Sequence, residues 1–333
     1  GGAAAAQGLA SEKSGRRWAT LGALGGWAPD LDGLIRSSSD PLLFLEYHRH
    51  FTHSLVFIPV GAALVASLVW VGTRGRIGIR EAYLPCLVGY ATHGLLDACT
   101  SYGTSLLWPF SNVRVAWNII SIIDPLFTLP LLLGIVLSLR LRRSTWVRGG
   151  VVLAMLYMGF GALQYQRVME VQGALAAERG HGIERGRVKP SFGNNLLFRS
   201  YYEHQGRYYV DAIRVNWWGD VRVYEGADVA CLKVEEFLAS HRVSETQTRD
   251  LHRFKHFSAG YLVEHPDESS VIGDLRYAFL PNAISPIWGI QWSDPPLEAH
   301  TPFVQFRGLS EERWSLYMSM LKGHDVEEAL LVR

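Results

Sequence analysis

Long apolar runs dominate the first half of this 333-residue chain. Four of them approach the roughly 20 residues that a membrane span requires. They cover residues 54–71, 82–98, 119–139 and 149–164. A shorter apolar helix is predicted at Trp18–Trp27, and it should end near Pro29 because the residue before a proline is pushed out of the helical region. The pattern predicts an α-helical, multi-span integral membrane domain over residues 1–165.

After residue 165 the apolar runs become short and alternating. Residues 166–190 are predicted to extend the last helix and then form a linker rich in glycine and arginine. Strand-like alternation occurs at residues 207–217 and 220–224. Helical patterns occur at residues 234–241, 246–257 and 311–322, the last with Ser310 as its N-cap. Residues 191–333 are therefore predicted to form a soluble α+β domain.

Arginine-rich loops set the predicted orientation. Arg74, Arg76 and Arg80 lie in one loop, and residues 140–148 form a second basic loop. Four alternating spans would place both loops on the same side, which the positive-inside rule makes cytoplasmic. The chain is therefore expected to cross the membrane several times, with its C-terminal domain on the outer, periplasmic or extracellular side.

Bulk composition adds little to this pattern. The chain is 48% hydrophobic and 19% charged, values that fit an ordinary globular protein, so that only their uneven distribution indicates a membrane half. The formal net charge of +1 argues against a nucleic-acid partner. Three cysteines provide no disulfide framework.

His93 and Asp97 are four residues apart in the predicted helix 82–98, so both side chains lie on one face, one turn apart. Ionisable groups in an apolar helix are costly unless they are paired, and by default they mark a functional site. The spacing suits two ligands of one metal ion. It also suits a neutral histidine that hydrogen-bonds the aspartate and stabilises helix packing.

Other carboxylates and imidazoles are predicted at the same membrane face, and this mixture suits zinc, manganese or another first-row divalent ion. The predicted metal ligands are Asp30, His53, His93 and Asp97, which would hold one or two ions, with zinc favoured. A catalytic site would leave one coordination position open for water. The predicted catalytic or supporting residues are Asp32, His50 and Asp124, each of which would bind a second ion, orient a ligating imidazole or act as general base.

Each of these residues also has a purely structural interpretation. Asp30 and Asp32 could terminate the first helix, and Asp124 before a proline could begin another. His48 is predicted to be a surface or interfacial residue, and Thr52 or Ser54 could cap the following span.

Two arginines and a second histidine pair also have two interpretations. Arg49 and Arg114 are predicted to bind a substrate phosphate, with contact to lipid headgroups as the alternative. His252 and His256, also four residues apart, are predicted to be surface histidines because no carboxylates accompany them.

Several motifs together resemble the membrane-bound metal-dependent hydrolase family of bacterial inner-membrane proteins. They are PDLD, HRHFTHS, GYATHGLLDACTSYG followed by LLWPF, and IDP at the start of a span. The segments FSAGYLV, VIGDLRYAFLP and WGIQW are similar to that family's longer members. The resemblance implies a location in the bacterial inner membrane.

That family is distantly similar to zinc-dependent phospholipase C and the P1-type nucleases. This similarity implies that His93 and Asp97 form the helix pair of ligands, and that His53 and Asp30 are further ligands. The soluble enzymes also bind one zinc through the amino group of an N-terminal tryptophan, which nothing here matches. One or two ions are therefore expected rather than three.

The expected function is hydrolysis of a phosphoester, of a lipid or lipid-linked molecule, by metal-activated water at the outer membrane face. The lipid bilayer and this substrate are the expected partners. The alternative is a non-enzymatic membrane protein with a structural metal site or a polar packing network, whose outer domain binds a partner. A transporter is disfavoured because the polar groups cluster at one face.

Overall fold

The computed structural model describes residues 1–293, 298–306, 308 and 310–326. It divides into two compact units. The helical unit contains Gly1–Ile35, Tyr47–Leu163 and Phe192–Asn194. The sheet unit contains Arg36–Glu46, Gln164–Ser191 and Asn195–Arg333. The end of the predicted C-terminal domain, residues 327–333, lies outside the described residues.

Helices make up most of the chain before residue 180. The α-helices are α1 (Gly2–Leu9), α2 (Gly15–Trp27), α3 (Leu43–Tyr47), α4 (Ile58–Gly72), α5 (Ile79–Ala98), α6 (Pro125–Leu141) and α7 (Thr145–Glu178). Two 3₁₀ helices, Ala28–Leu34 and Phe51–His53, supply residues of the candidate site. α2 ends at Trp27, as the sequence predicted, but the first 3₁₀ helix continues directly from it, so Ala28 keeps a helical backbone conformation before Pro29.

Glycines allow α2 and α5 to pack with their backbones in close contact. A Cβ atom added at Gly89 would lie 2.1 Å from the carbonyl oxygen of Gly22, and one added at Gly25 would lie 2.3 Å from that of Cys86. Even an alanine would therefore force the two helices apart. This contact fixes the position of α5, which carries His93 and Asp97.

The prediction of a multi-span bundle is wrong. Among the described residues only α7, 34 residues long, is long and apolar enough to cross a membrane as a single helix. A second candidate exists only if the segments Leu43–His53 and Ile58–Gly72, bent by 90°, count as one broken span.

The other predicted spans fail for identifiable reasons. Residues 54–57 form turns rather than helix, so α4 has only 15 residues. α6 begins only after its N-cap Asp124, later than predicted. The 17 residues of α6 reach roughly 26 Å at 1.5 Å per residue, short of a bilayer core of roughly 30 Å. The 20-residue α5 is not among the candidate spans, and it contains charged residues near both ends. The predicted orientation of the chain in the membrane assumed four alternating spans. Without those spans, the positive-inside argument for that orientation no longer applies.

The sheet unit contains two antiparallel four-stranded sheets, each with its strands in sequence order. The first sheet contains β1 (Arg185–Pro190), β2 (Leu197–His204), β3 (Arg207–Val215) and β4 (Val221–Ala230). The second contains β5 (Leu262–His265), β6 (Glu268–Asp274), β7 (Trp288–Gln291) and β8 (Phe303–Gln305). The accompanying helices are α8 (Val234–Ser240), α9 (Glu245–Phe257) and α10 (Glu311–Lys322).

Local sequence signals explain these elements. His204 pairs with Arg207 across a two-residue turn, in which Gln205 and Gly206 have φ values of 48° and 72°. Turns of this kind require positive φ at both central positions, which glycine adopts without strain. Ser310 caps α10 by accepting a hydrogen bond from the Arg313 amide, as the sequence predicted.

Candidate metal site

The candidate site is assembled from three segments of the helical unit. Asp30 lies on the 3₁₀ helix that follows α2, His53 ends the short 3₁₀ helix before α4, and His93 and Asp97 lie on α5. Gly94 makes the approach possible, because a Cβ atom there would lie 2.5 Å from the carbonyl oxygen of His53. The structure thus brings all four predicted metal ligands together.

The four side chains are spaced like the ligands of one small cation. His53 Nε2 lies 3.2 Å from Asp97 Oδ2 and 3.8 Å from Asp30 Oδ1. His93 Nε2 lies 3.2 Å from Asp30 Oδ1 and 3.4 Å from Asp97 Oδ2. A tetrahedral zinc site with bonds of roughly 2.0–2.1 Å has ligand atoms roughly 3.3–3.4 Å apart. The donor atoms therefore already have nearly the separation that coordination requires.

Three of these donor atoms are buried without a hydrogen bond. They are His53 Nε2, His93 Nε2 and Asp97 Oδ2. They face one another and Arg49 Nε at 3.1–3.4 Å without good hydrogen-bond geometry, and buried polar atoms of this kind demand an explanation. Asp30 differs, because 42% of its side chain is exposed, so the group opens to solvent on that side. A buried donor set with one accessible edge suits a cation that also binds an exchangeable ligand.

Asp32 lies behind His53 and is fully buried. Its Oδ2 atom accepts hydrogen bonds from Thr52 Oγ1 at 2.7 Å and from the Arg49 amide at 3.0 Å, and lies 3.1 Å from His53 Nδ1. A carboxylate beside Nδ1 keeps the ring proton on Nδ1. The Nε2 atom then has a free lone pair, which faces the other ligands. Asp32 is therefore placed to orient a ligating imidazole.

Both aspartates of this 3₁₀ helix are held in the ionised form. Burial raises the pKa of Asp30, but the adjacent His53 and His93 outweigh this effect and hold the pKa well below its usual range. Burial likewise raises the pKa of Asp32, and its contacts with His48, His53 and Thr52 reverse the shift. Ionised carboxylates are the form that binds a metal ion.

Arg49 lies beside the ligand group. Its Nε atom is 3.1 Å from Asp97 Oδ2, and its Nη1 atom donates to Thr100 Oγ1 at 2.9 Å. The guanidinium carbon also lies 5.0 Å from the centre of the Tyr102 ring. Arg114, the other predicted substrate-binding arginine, donates instead to the carbonyl oxygen of Gly103 at 2.9 Å.

Two predicted catalytic residues, Asp124 and His50, are not among the four grouped donors. Asp124 caps α6 by accepting from the Leu126 and Phe127 amides, at 3.0 and 3.3 Å, and from the Tyr157 hydroxyl at 2.9 Å. These bonds match its alternative interpretation as a helix start. The His50 ring packs 5.7 Å from the Trp108 ring.

Sequence reasoning missed the role of two residues in the motif HRHFTHS. His48, predicted at the surface, is only 20% exposed in its side chain, and its Nδ1 atom lies 2.9 Å from Asp32 Oδ1. Thr52, considered only as a helix cap, donates to the other oxygen of Asp32. The signal was the density of polar groups in this motif, all within reach of one carboxylate.

A second group with metal-binding residue types lies in the sheet unit and is already internally paired. It consists of Asp40, Asp250 and His300. Arg253 donates to both oxygens of Asp40, at 3.0 Å each, and Asp250 accepts from the Thr301 amide at 2.8 Å. These carboxylates are satisfied by an arginine and a backbone amide, whereas the histidine and aspartate donors of the first group mainly face one another.

The first half of the chain matches a protein-family model. The family model described as YdjM inner membrane protein matches residues 1–168. The chain is 39% identical over 80 residues to "Inner membrane protein YbcI" of Escherichia coli (strain K12), an alignment that covers 22% of this chain and 44% of the relative.

A second relative is more distant. The chain is 25% identical over 126 residues to "Uncharacterized protein YfhP" of Bacillus subtilis (strain 168), covering 38% of this chain and 36% of that protein. The chain thus spans less than half the length of either relative. No solved structure matches it.

Proposed function

The chain belongs to the YdjM inner membrane protein family, and we propose that it is a membrane-associated, metal-dependent hydrolase that cleaves a phosphoester of a lipid or lipid-linked molecule. The observation that carries the proposal is the convergence of Asp30, His53, His93 and Asp97, whose donor atoms all lie within 4.8 Å of one another. Three of those atoms are buried without a hydrogen bond.

The donor chemistry fits a divalent first-row ion. Two imidazole nitrogens and two carboxylate oxygens suit zinc or manganese, whereas copper(I) and iron–sulfur clusters favour sulfur ligands. Cys86 and Cys99 of the helical unit are buried as free thiols, and neither belongs to the group. One ion is proposed, because one set of four donors is present.

When bound, such an ion would lower the pKa of a coordinated water towards neutrality and so supply a nucleophile. The protein's own residues would hold the ion and leave one side of the site open to solvent. Asp32 orients His53, the buried His53 and Asp97 fix one side of the group, and the half-exposed Asp30 faces solvent. Arg49 lies next to Asp97 and would place a guanidinium near a phosphate at the open side.

Metal content is the first test. Full-length protein purified in detergent is analysed for bound zinc and manganese, as wild type, as His93→Ala and as the control His252→Ala, which removes an exposed histidine of α9. We expect about one equivalent of metal in wild type and control, and its loss in His93→Ala. Wild-type protein that binds no metal after incubation with either ion would contradict the proposal.

Activity is tested on the same three proteins, loaded with zinc or manganese. Chromogenic phosphomonoesters and phosphodiesters and a fluorescent phospholipid serve as substrates. We expect His93→Ala to lose at least about 100-fold in rate, because losing a ligand should cost no less than losing a second-shell partner. Metal binding without hydrolysis of any phosphoester would reject the enzymatic function and leave the metal site standing.

A structural metal site is the second candidate. The number of protein donors favours it, because structural zinc sites use four protein ligands whereas catalytic ones usually use three and keep one position open. In that case Asp30→Ala would destabilise the folded protein and release the metal. In a catalytic site, Asp30→Ala would retain metal with weakened affinity and change the hydrolysis rate.

A further inference from the structure

A strongly basic cleft lies in the helical unit between two loops. The α1–α2 loop forms one wall and the α6–α7 loop the other, and the volume between them is about 710 Å³. Small-molecule sites span roughly 300–1,000 Å³, so this cleft is large enough to hold a ligand. Its cationic side chains are Lys13, Arg16, Arg140, Arg142 and Arg143, and its carboxylate is Glu12.

The five cations are exposed and have no anionic partner among the described residues. Two neighbouring arginines behave differently: Arg17 pairs with Glu81, and Arg148 donates to the carbonyl oxygen of Gly8 at 2.9 Å. Five cations facing one carboxylate repel one another unless an anion lies between them. The excess positive charge of the cleft therefore favours an anionic ligand.

The two walls are held in place by contacts beneath the cleft. Gln7 of α1 donates through Nε2 to Ser138 Oγ of α6 at 3.2 Å. Ala4, Leu131 and Val147 of α1, α6 and α7 share one hydrophobic core. The cationic side chains thus lie at the ends of helices that pack together or in the loops that join those helices.

Gln7 also provides an unused polar atom. The residue lines the cleft and is 2% exposed, and its Oε1 atom is buried without a hydrogen bond. A carboxamide oxygen only accepts hydrogen bonds, so a ligand that satisfied it would carry a hydroxyl or another donor. A glycerol headgroup has such hydroxyls, whereas the phosphate dianion is mainly an acceptor.

An apolar stripe leads to the cleft along α6. Leu129, Leu132, Val136 and Leu139 recur at helical spacing on one face and are 41–52% exposed. Leu139 also lines the cleft. An amphiphile could therefore place an anionic headgroup among the cations and an acyl chain along the stripe.

We propose that this cleft binds the phosphoglycerol headgroup of an anionic phospholipid. The unpaired cations would neutralise the phosphate, Gln7 would accept from a glycerol hydroxyl, and the stripe on α6 would contact the acyl chain. Basic pockets between membrane-associated helices are a recurrent means of binding anionic lipids. The proposal does not depend on the metal site or on hydrolysis.

The test measures phospholipid binding to the full chain in a neutral detergent by native mass spectrometry. Phosphatidylglycerol and phosphatidylcholine with the same acyl chains are compared, and inorganic phosphate is added as a competitor. The cleft variant combines Arg140→Gln, Arg142→Gln and Arg143→Gln. The control variant removes the same charge from the exposed α4–α5 loop and the first turn of α5 by Arg74→Gln, Arg76→Gln and Arg80→Gln.

We expect wild type and control to prefer phosphatidylglycerol, and the cleft variant to bind it at least about tenfold more weakly. Equal losses in both variants would overturn the proposal, because general surface charge would then explain binding. Equal affinity for the two lipids would overturn it as well. Displacement of the lipid by inorganic phosphate at matched phosphate concentration would reject a lipid as the specific occupant.

A second cleft variant keeps the test decisive if the triple variant does not fold. Lys13→Gln with Arg16→Gln removes two charges from the opposite wall, and both side chains are exposed. We expect the same loss of phosphatidylglycerol preference in this variant. Retained preference here, with loss only in the triple variant, would contradict a site formed by both walls.

Discussion

Replacing Asp32 by asparagine tests whether a buried partner holds a metal ligand in place. Asp32 lies outside the four-ligand group, and its carboxylate is 3.1 Å from His53 Nδ1. Such outer partners set the tautomer and orientation of a ligating imidazole. Because asparagine has nearly the same shape, Asp32→Asn removes a charge and leaves the packing almost unchanged.

The size of the effect follows from the contacts of the two oxygens. Oδ2 contacts the Arg49 amide, Thr52 and His53, whereas Oδ1 contacts His48. An asparagine with its oxygen at the Oδ2 position would keep the first three as neutral hydrogen bonds. Bonds to charged groups contribute about 1.5–3 kcal/mol and neutral ones about 0.5–1.5 kcal/mol. The contact with His53 should lose about 1–1.5 kcal/mol, which corresponds to roughly tenfold in zinc affinity.

Zinc affinity is measured by competition with a chromophoric chelator on metal-free, full-length protein. The control Asp220→Asn changes an exposed aspartate of the sheet unit, and thermal unfolding of each metal-free protein reports on folding. Unchanged affinity in Asp32→Asn would refute the orienting role. A loss as large as that of His53→Ala would refute it too, since Asp32 would then itself act as a ligand.

Two substitutions test packing. Gly94→Ala would place a Cβ atom 2.5 Å from the carbonyl oxygen of His53, so we expect a free energy of unfolding about 1–3 kcal/mol lower and weaker zinc binding. Gly159→Ala lies in α7 with no heavy atom within 4 Å among the described neighbours, so it should keep the zinc affinity and should not lower the free energy of unfolding. Equal behaviour of the two variants would contradict the close approach. Arg276→Met would leave Asp274, which is fully buried, without its partner at 2.7 Å, so chemical denaturation should show a loss of about 3–5 kcal/mol, and a loss below about 1 kcal/mol would reject this reasoning.

Local signals predicted local structure well. The alternating run from Arg207 became β3, and the Ser310 cap correctly placed the start of α10 at Glu311. Alternation and capping act over a few residues, so the sequence contains the whole signal. Membrane spans were overpredicted because an apolar run says nothing about where its helix begins. Turns after Ser54 and the late start of α6 at Asp124 shortened two of the runs.

The candidate site was only partly accessible from sequence. The helix spacing of His93 and Asp97 put two donors on one face, and the structure adds His53 and Asp30 at 3.2 Å from them. What the sequence lacked was the geometry between segments. Whether Asp32 points at the ion or at His53 depends on a 3₁₀ helix that no residue pattern specified.

The charge balance of the site can be met either by a divalent cation or by the packing network that the sequence left open. The charged groups in contact are Asp30, Asp32, Asp97 and Arg49. Three carboxylates and one guanidinium give a formal charge of −2 when the imidazoles are neutral. Protons on the two histidine ligands would supply the missing charge, and each Nε2 atom would then face a carboxylate oxygen at 3.2 Å, which is the packing network. A single divalent ion would supply the same charge and bind the lone pairs of these nitrogens, so the metal content of wild type and His93→Ala distinguishes the two arrangements.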